Sequence, residues 1–247
     1  MIRAAVAAIF LSLFILIAGP PLMLYAFLTR DKETLYHFSL SGVLATYKIL
    51  GVSSRAEGAE NIPAGPCIFA ANHTSNIDPP AIMNCIPRRV GILIKKSIFR
   101  TPIVGTAFRL GQFVPVDRAR REEAVSSLDE AAEYVKQGLS FLVYPEGTRS
   151  PDGRLGPFKR GGFALAIRAG VPIVPVACIG AHRIMPKKSL RIKPGEIVVR
   201  FCPPIDASTY SASQRAQLSD AVHNAIAAAL PPDQRPRDMS APAANDS

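Results

Sequence analysis

Five short apolar runs, PCIFAA, VGILIK, FVPV, SFLVYP and VPIVPVACI, punctuate residues 66–179, each bounded by Pro, Gly or polar residues and rich in Val and Ile. Runs this short and this continuously apolar read as strands buried on both faces. Helical patterns lie between and after them. In residues 122–137, Val125, Leu128, Ala132 and Val135 recur at helical spacing before Gly138; in residues 213–230, Leu218, Val222, Ile226 and Ala229 form a second stripe. Strand and helix in alternation predict an α/β domain over residues 51–230 whose sheet is covered on both faces. At 247 residues and 48% hydrophobic, the chain has ample material for that core. The tail, residues 231–247, is Pro, Ala and polar and is expected to be disordered.

Residues 1–50 have a different texture. No charged residue occurs from position 4 to position 29, a run long enough to cross a bilayer core, but Gly19-Pro20-Pro21 interrupts it. Two prolines remove two helix donors and push the residue before them out of helical geometry, so the run is expected to break there. Three readings compete: a cleaved signal peptide, a single span, and a membrane-anchoring helical hairpin with one helix before the prolines and one after. The hairpin is favoured because Leu24, Phe27, Leu28, Leu35, Phe38, Leu40, Val43 and Leu44 are mixed with Tyr25, Tyr36, His37 and Tyr47, as expected at a membrane interface.

The 29 Lys and Arg against 19 Asp and Glu give a net charge of +10, which calls for an anionic partner: nucleic acid, an acidic membrane surface or a phosphorylated small molecule. Cys67, Cys85, Cys178 and Cys202 are widely spaced in apolar stretches without zinc-ligand spacing and read as reduced core residues.

Open α/β sheets bind ligands beyond the carboxyl ends of their strands, and three such loops carry polar clusters. NHTSNIDPP, residues 72–80, follows the first strand. Asp78 before two prolines reads as a helix start whose carboxylate accepts the first free amides. The same carboxylate can fold back onto His73, fixing the imidazole tautomer and leaving the other nitrogen to take a proton. Either a turn or a dyad fits these residues. Asp117-Arg118 closes FVPV, where a surface charge pair is the simplest reading. YPEGTRSPDGRLGPFKRGG, residues 144–162, packs Glu146, Gly147, Thr148, Arg149 and Ser150 into one turn, with Lys159 and Arg160 returning soon after. Glycine admits backbone amides to a ligand, and Thr, Ser and Arg donate toward phosphate oxygens. The pattern is neither a nucleotide P-loop nor a dinucleotide fingerprint.

Together Asn72-His73 through Asp78, Gly111 through Arg118, the EGTRS turn and VPIVPV at 171–176 resemble the four ordered blocks of the glycerolipid acyltransferases, most closely the bacterial 1-acylglycerol-3-phosphate O-acyltransferases. The resemblance covers residues 61–204. It implies a mixed α/β sheet flanked by helices and a basic cleft. It also implies transfer of an acyl group from acyl-CoA or acyl-carrier protein to the 2-hydroxyl of lysophosphatidate, giving phosphatidate. By position, His73 would be the general base and Asp78 its orienting partner, while Glu146, Gly147, Thr148 and Arg149, with Arg118, would hold the glycerol phosphate. No metal, cofactor or nucleic acid enters that reaction, and the partners implied are the lipid bilayer, the lysolipid and the acyl donor. Its expected place is the cell inner membrane, with the catalytic domain on the cytoplasmic face. Backbone amides of residues 74–76 or a nearby lysine would hold the oxyanion. Here Ser97 follows Lys95-Lys96 where the family often carries an acidic residue. Other readings stay open at this point: transfer to another lysolipid such as lyso-ornithine lipid, a serine hydrolase, for which no G-x-S-x-G elbow occurs, and a non-catalytic membrane module that binds acidic lipids.

Overall fold

The computed structural model describes residues 2–117, 120–189 and 191–237. Two helices, α1 (Ile2–Thr29) and α2 (Lys32–Leu50), precede the sheet domain. The chain then runs β1 (Val52–Glu57), β2 (Ile68–Ala71), α3 (Asp78–Cys85), β3 (Val90–Lys95), α4 (Val104–Leu110), β4 (Val114–Val116) and α5 (Arg121–Lys136). It continues through β5 (Ser140–Val143), α6 (Gly161–Ala169), β6 (Ile173–Ile179), α7 (Ala181–Ile184), β7 (Gly195–Phe201) and α8 (Arg215–Ala229).

The strands form one sheet in the order β1-β7-β6-β2-β5-β3-β4. Every neighbouring pair is parallel except β6 and β7, so the sheet is mixed. The five apolar runs are β2 to β6. Because successive side chains on a strand point to opposite faces, each run feeds two cores at once. Phe69, Ala71, Leu142, Val174 and Val176 meet α2 and α3 on one side. Ile68, Ala70, Phe141, Val143 and Ile173 meet the side carrying α5, α6 and α8, where Leu128, Ala132, Val135, Leu218, Val222 and Ile226 pack. Val125, expected on the packed stripe of α5, is exposed. All four cysteines are free thiols.

The N-terminal hairpin is present, but it turns elsewhere than expected. α1 passes straight through Pro20 and Pro21, and the chain reverses at Arg30 and Asp31, where the Asp31 carboxylate accepts the Thr34 amide and caps α2. The steric penalty before a proline comes partly from the Cβ of the preceding residue, and Gly19 has none. Ile103 closes over this point: a Cβ on Gly19 would lie 2.8 Å from it. At Gly42 α2 comes so close to α1 that a Cβ would overlap the Phe14 ring, which stacks on Phe38 at 5.4 Å.

α2 is also less of a membrane helix than its aromatic residues suggested. Leu35, Tyr36 and Tyr47 are buried, and α2 packs on α3 and β1. Most of the apolar surface left exposed belongs to α1, where Ile2, Val6, Ile9, Leu13, Leu16, Pro20, Leu24 and Phe27 recur every three or four residues as one stripe. The helix is long and apolar enough to cross a membrane.

Of the tail expected to be disordered, residues 231–237 fold back onto the domain and bury Gln234; residues 238–247 lie outside the described residues.

Candidate active site

β2 and β5 are parallel neighbours, with Ala70 opposite Val143, so their carboxyl ends deliver Asn72-His73 and Tyr144-Pro145-Glu146 side by side. On the other flank of β2, the buried Asn72 side chain copies a ladder rung: its Nδ2 donates to Cys178 O at 3.0 Å and its Oδ1 accepts the Cys178 amide at 2.7 Å. The first residue of the loop is thereby pinned to β6.

Three donors converge on one oxygen of Asp78. Oδ2 accepts His73 Nδ1 at 2.9 Å, the Thr74 amide at 2.7 Å and the Ser75 amide at 2.8 Å. A carboxylate only accepts, so Nδ1 carries the ring proton and Nε2 is the basic nitrogen. Asp78 is fully buried, while the His73 side chain is 17% exposed and approachable from one side.

Sequence reasoning allowed Asp78 to cap α3 as well, and the structure corrects this. The helix has no side-chain cap, and the carboxylate turns back to the loop before it. Pro79 and Pro80 offer no amides to accept, so nothing in the first turn competes for it. The same geometry takes the Thr74 and Ser75 amides out of contention as oxyanion donors, since both are spent on Asp78.

Glu146 faces inward. Its Oε1 accepts the His73 amide at 2.7 Å and its Oε2 accepts the Gly156 amide at 3.2 Å. Burial, seconded by the nearby Asp78, pushes its carboxyl up to about 7 even though the two amides and Lys187 pull it down. The Ser150 amide donates to His73 O at 2.7 Å, so the EGTRS turn is stitched to the histidine on both sides of its α-carbon. Gly147 sits at φ 75°, where a side chain would be strained and would also meet Lys159 at 3.1 Å.

The solvent side of the turn carries Thr148, exposed, and Arg149, half-buried, whose guanidinium makes no hydrogen bond or ion pair among the described residues. Lys187 Nζ donates to Arg149 O and lies 3.4 Å from Thr148 Oγ1. Of the residues predicted to act together, His73, Asp78, Glu146, Gly147, Thr148 and Arg149 are gathered at this one corner. Arg118 lies outside the described residues. Among the described residues no group of three or more His, Cys, Asp or Glu side chains could hold a metal ion.

A family model described as Acyltransferase matches residues 53–179, which contain both loops. A chloroplastic 1-acyl-sn-glycerol-3-phosphate acyltransferase of Brassica napus is 34% identical over 210 residues, covering 83% of this chain and 59% of that protein. The chain belongs to the acyltransferase family. The mouse 1-acyl-sn-glycerol-3-phosphate acyltransferase alpha is 30% identical over 80% of this chain and 70% of its own length. The crystal structure of the 1-acyl-sn-glycerophosphate acyltransferase PlsC of Thermotoga maritima superposes with a TM-score of 0.77 at 29% identity, covering 91% of this chain and 92% of that one. The chain thus spans about three fifths of the Brassica relative and nearly all of the bacterial one.

This member of the acyltransferase family surrounds its His73–Asp78 pair with groups that sequence reasoning passed over. The Tyr144 ring stacks on His73 with centroids 4.0 Å apart and planes 23° apart. Burial holds its phenol well above the usual range, so the ring stays neutral behind the imidazole. Tyr47 of α2, expected at the membrane, donates its hydroxyl to Ile77 O at 2.6 Å and braces the loop that carries His73. Ser75 Oγ donates to Met185 O at 2.6 Å, and Cys178 Sγ lies 3.6 Å from Asp78 Oδ1. Lys187 opens the basic run KKSLRIK, residues 187–193, and nothing local in it points to the EGTRS turn. An aromatic residue directly before Pro-Glu at a strand end was the one local signal available for Tyr144.

Proposed function

We propose that the protein transfers an acyl group from acyl-CoA or acyl-carrier protein to the 2-hydroxyl of 1-acylglycerol 3-phosphate, making phosphatidate. The observation that carries this reading is the double stitch between His73 and the EGTRS turn, which sets a base with a free Nε2 beside a turn bearing Thr148 and Arg149, onto which Lys187 reaches from beyond α7. Transfer needs one proton removed and two substrates held. Nε2 takes the proton of the acceptor hydroxyl as its oxygen attacks the thioester carbonyl. The tetrahedral intermediate then expels thiolate, and the imidazolium returns the proton to sulfur. A thioester is already an activated acyl donor, so we assign no cofactor or metal to the step, and holding both substrates in place contributes much of the rate. Arg149 has the fork geometry for phosphate oxygens, with Lys187 beside it as a point charge.

The lipid substrates call for a bilayer, and the α1 stripe supplies the surface for one. We infer that α1 lies along the cytoplasmic face of the inner membrane as a monotopic anchor, and the chain's net charge of +10 favours an anionic surface. Reduced cysteines fit that compartment.

An acceptor panel tests the reading. Purified protein with acyl-CoA should acylate lysophosphatidate and show little transfer to phosphate-free monoacylglycerol. Equal rates on the two acceptors would remove Arg149 and Lys187 from substrate recognition.

A further inference from the structure

Residues 231–237 follow α8 and belong to no element of the sheet domain, yet they lie against the back of the phosphate-suited turn. Gln234 is 4% exposed. Its main-chain oxygen accepts the Leu155 amide at 2.9 Å, and its side-chain Oε1 accepts the Gly180 amide at 3.1 Å. Its own amide donates to Pro231 O at 2.9 Å, which folds the segment into a turn. Around it, Arg183 pairs with Asp233 at 2.5 Å, Arg237 with Asp152 at 3.1 Å, and Arg154 donates to Arg235 O at 3.2 Å.

From Gln234 a short hydrogen-bonded path leads to the base. Leu155, held by Gln234, is itself buried. The next residue, Gly156, gives its amide to Glu146 Oε2 at 3.2 Å, and Glu146 Oε1 accepts the amide of His73 at 2.7 Å. On the facing side, Gly153 takes φ 82° against His182, where a Cβ would fall 2.7 Å from the ring. The loop 150–156 is therefore confined between the C-terminal segment and the turn that opens α7. Ion pairs exposed to water contribute little to holding such a segment. The buried amide-to-Gln234 bonds are what fix it, since a buried donor left without its acceptor is costly.

We propose that residues 231–237 are a strap that positions the active site from behind, with Gln234 as its positioning residue. The proposal rests on the acyltransferase reading of the site. The strap touches neither substrate nor His73. It sets the height of the loop 150–156, and through Gly156 and Glu146 it sets the main chain of His73 and of the turn bearing Thr148 and Arg149. Loss of the strap lets that loop rise, so it weakens acceptor binding and transfer together while leaving the acyl donor's binding alone.

The test uses the full-length protein in detergent micelles beside two variants: a chain ending at Leu230, and Gln234→Ala in the full chain. Hydrogen exchange is followed in peptides covering 150–156 and, as a control for folding, in β5. The shortened chain loses both bonds of Gln234, whereas Gln234→Ala keeps the main-chain oxygen over Leu155 and loses the side-chain anchor to Gly180 that holds the segment down. The 150–156 peptides should therefore lose protection in both variants, more in the shortened chain, while β5 keeps it; KM for lysophosphatidate should rise and kcat should fall, each on the order of tenfold in the shortened chain and in the same direction in Gln234→Ala, and KM for acyl-CoA should hold. Simple unfolding would lower kcat without raising KM. Should the shortened chain fail to fold, β5 exchange reveals it and Gln234→Ala carries the test. If 150–156 stays protected in Gln234→Ala, or loses protection with KM and kcat unchanged, the strap is not a positioning element. If the wild type transfers no acyl group, the functional reading falls, and the exchange data still decide whether the strap holds the loop.

Discussion

His73 Nδ1 lies 2.9 Å from Asp78 Oδ2, and that oxygen also receives the amides of Thr74 and Ser75. The carboxylate thus orients the imidazole and folds the loop that carries it. The two duties separate by mutation. Asp78→Asn keeps an oxygen for the amides but loses the fixed acceptor for Nδ1–H, so kcat should fall about 10²- to 10⁴-fold with the fold intact. Asp78→Ala should also leave buried amides unpaired and lower stability by about 1–3 kcal/mol. Steady-state rates and denaturant unfolding of the two variants distinguish these effects.

Arg149 is the cation on the EGTRS turn whose guanidinium stays unengaged among the described residues. Charge-assisted bonds to phosphate contribute about 1.5–3 kcal/mol each, so Arg149→Ala should raise KM for lysophosphatidate roughly 10- to 100-fold. KM for acyl-CoA should change much less. Similar rises for both substrates would argue that Arg149 shapes the turn rather than binding the acceptor.

Glu146 gives the stability a distinctive pH dependence. Its carboxyl is raised by burial from an ordinary 4.5 to about 7 in the folded protein. The folded state therefore holds that proton more tightly than the unfolded one. The stability this contributes is complete below about pH 4.5 and is lost as pH rises through about 7, by at most about 3 kcal/mol. Glu146→Gln offers one carbonyl to two amides and should be less stable at every pH, by about 1–3 kcal/mol at low to neutral pH, but its profile should be flatter between those limits. Thermal unfolding of both proteins from pH 4.5 to 8 measures the difference in slope; parallel profiles would mean that Glu146 ionises as an ordinary carboxylate.

Tyr47→Phe removes the hydroxyl that α2 gives to Ile77 O and should cost about 0.5–1.5 kcal/mol of stability. If α2 only served the membrane, the substitution would leave unfolding of the detergent-solubilised protein unchanged.

How much of this was readable in advance follows from where each element's partners lie. β2, β5 and β6 are buried on both faces and β3 and the edge strand β4 mostly so, and their apolar runs announced themselves. β1, VSSRAE, is a sheet edge with half its side chains in water, and β7, GEIVVRF, alternates in and out; neither shows a continuous run, and both were missed. The dyad was legible because its members are close in sequence. Tyr144 against His73 and Glu146 under both His73 and Gly156 depend on β2 lying beside β5, which no local pattern encodes. Glu146 was expected to face the glycerol phosphate, whereas both its oxygens point into the protein. Pro20 and Pro21 misled because proline rules weigh the local chain, while α1 also packs on α2 and α4. Gln234 was hidden for the same reason: a Pro-rich polar segment reads as a tail until Leu155 and Gly180 offer it two amides.

In the proposed reaction His73 Nε2 deprotonates a bound lysolipid hydroxyl rather than water. The direct measurement is thiol release from acyl-CoA with and without lysophosphatidate, for the wild type and for His73→Ala. Release should require the acceptor, match phosphatidate formed one for one, and fall at least about 10²-fold in His73→Ala. Release at the same rate without acceptor, or an undiminished rate in His73→Ala, would contradict that reaction.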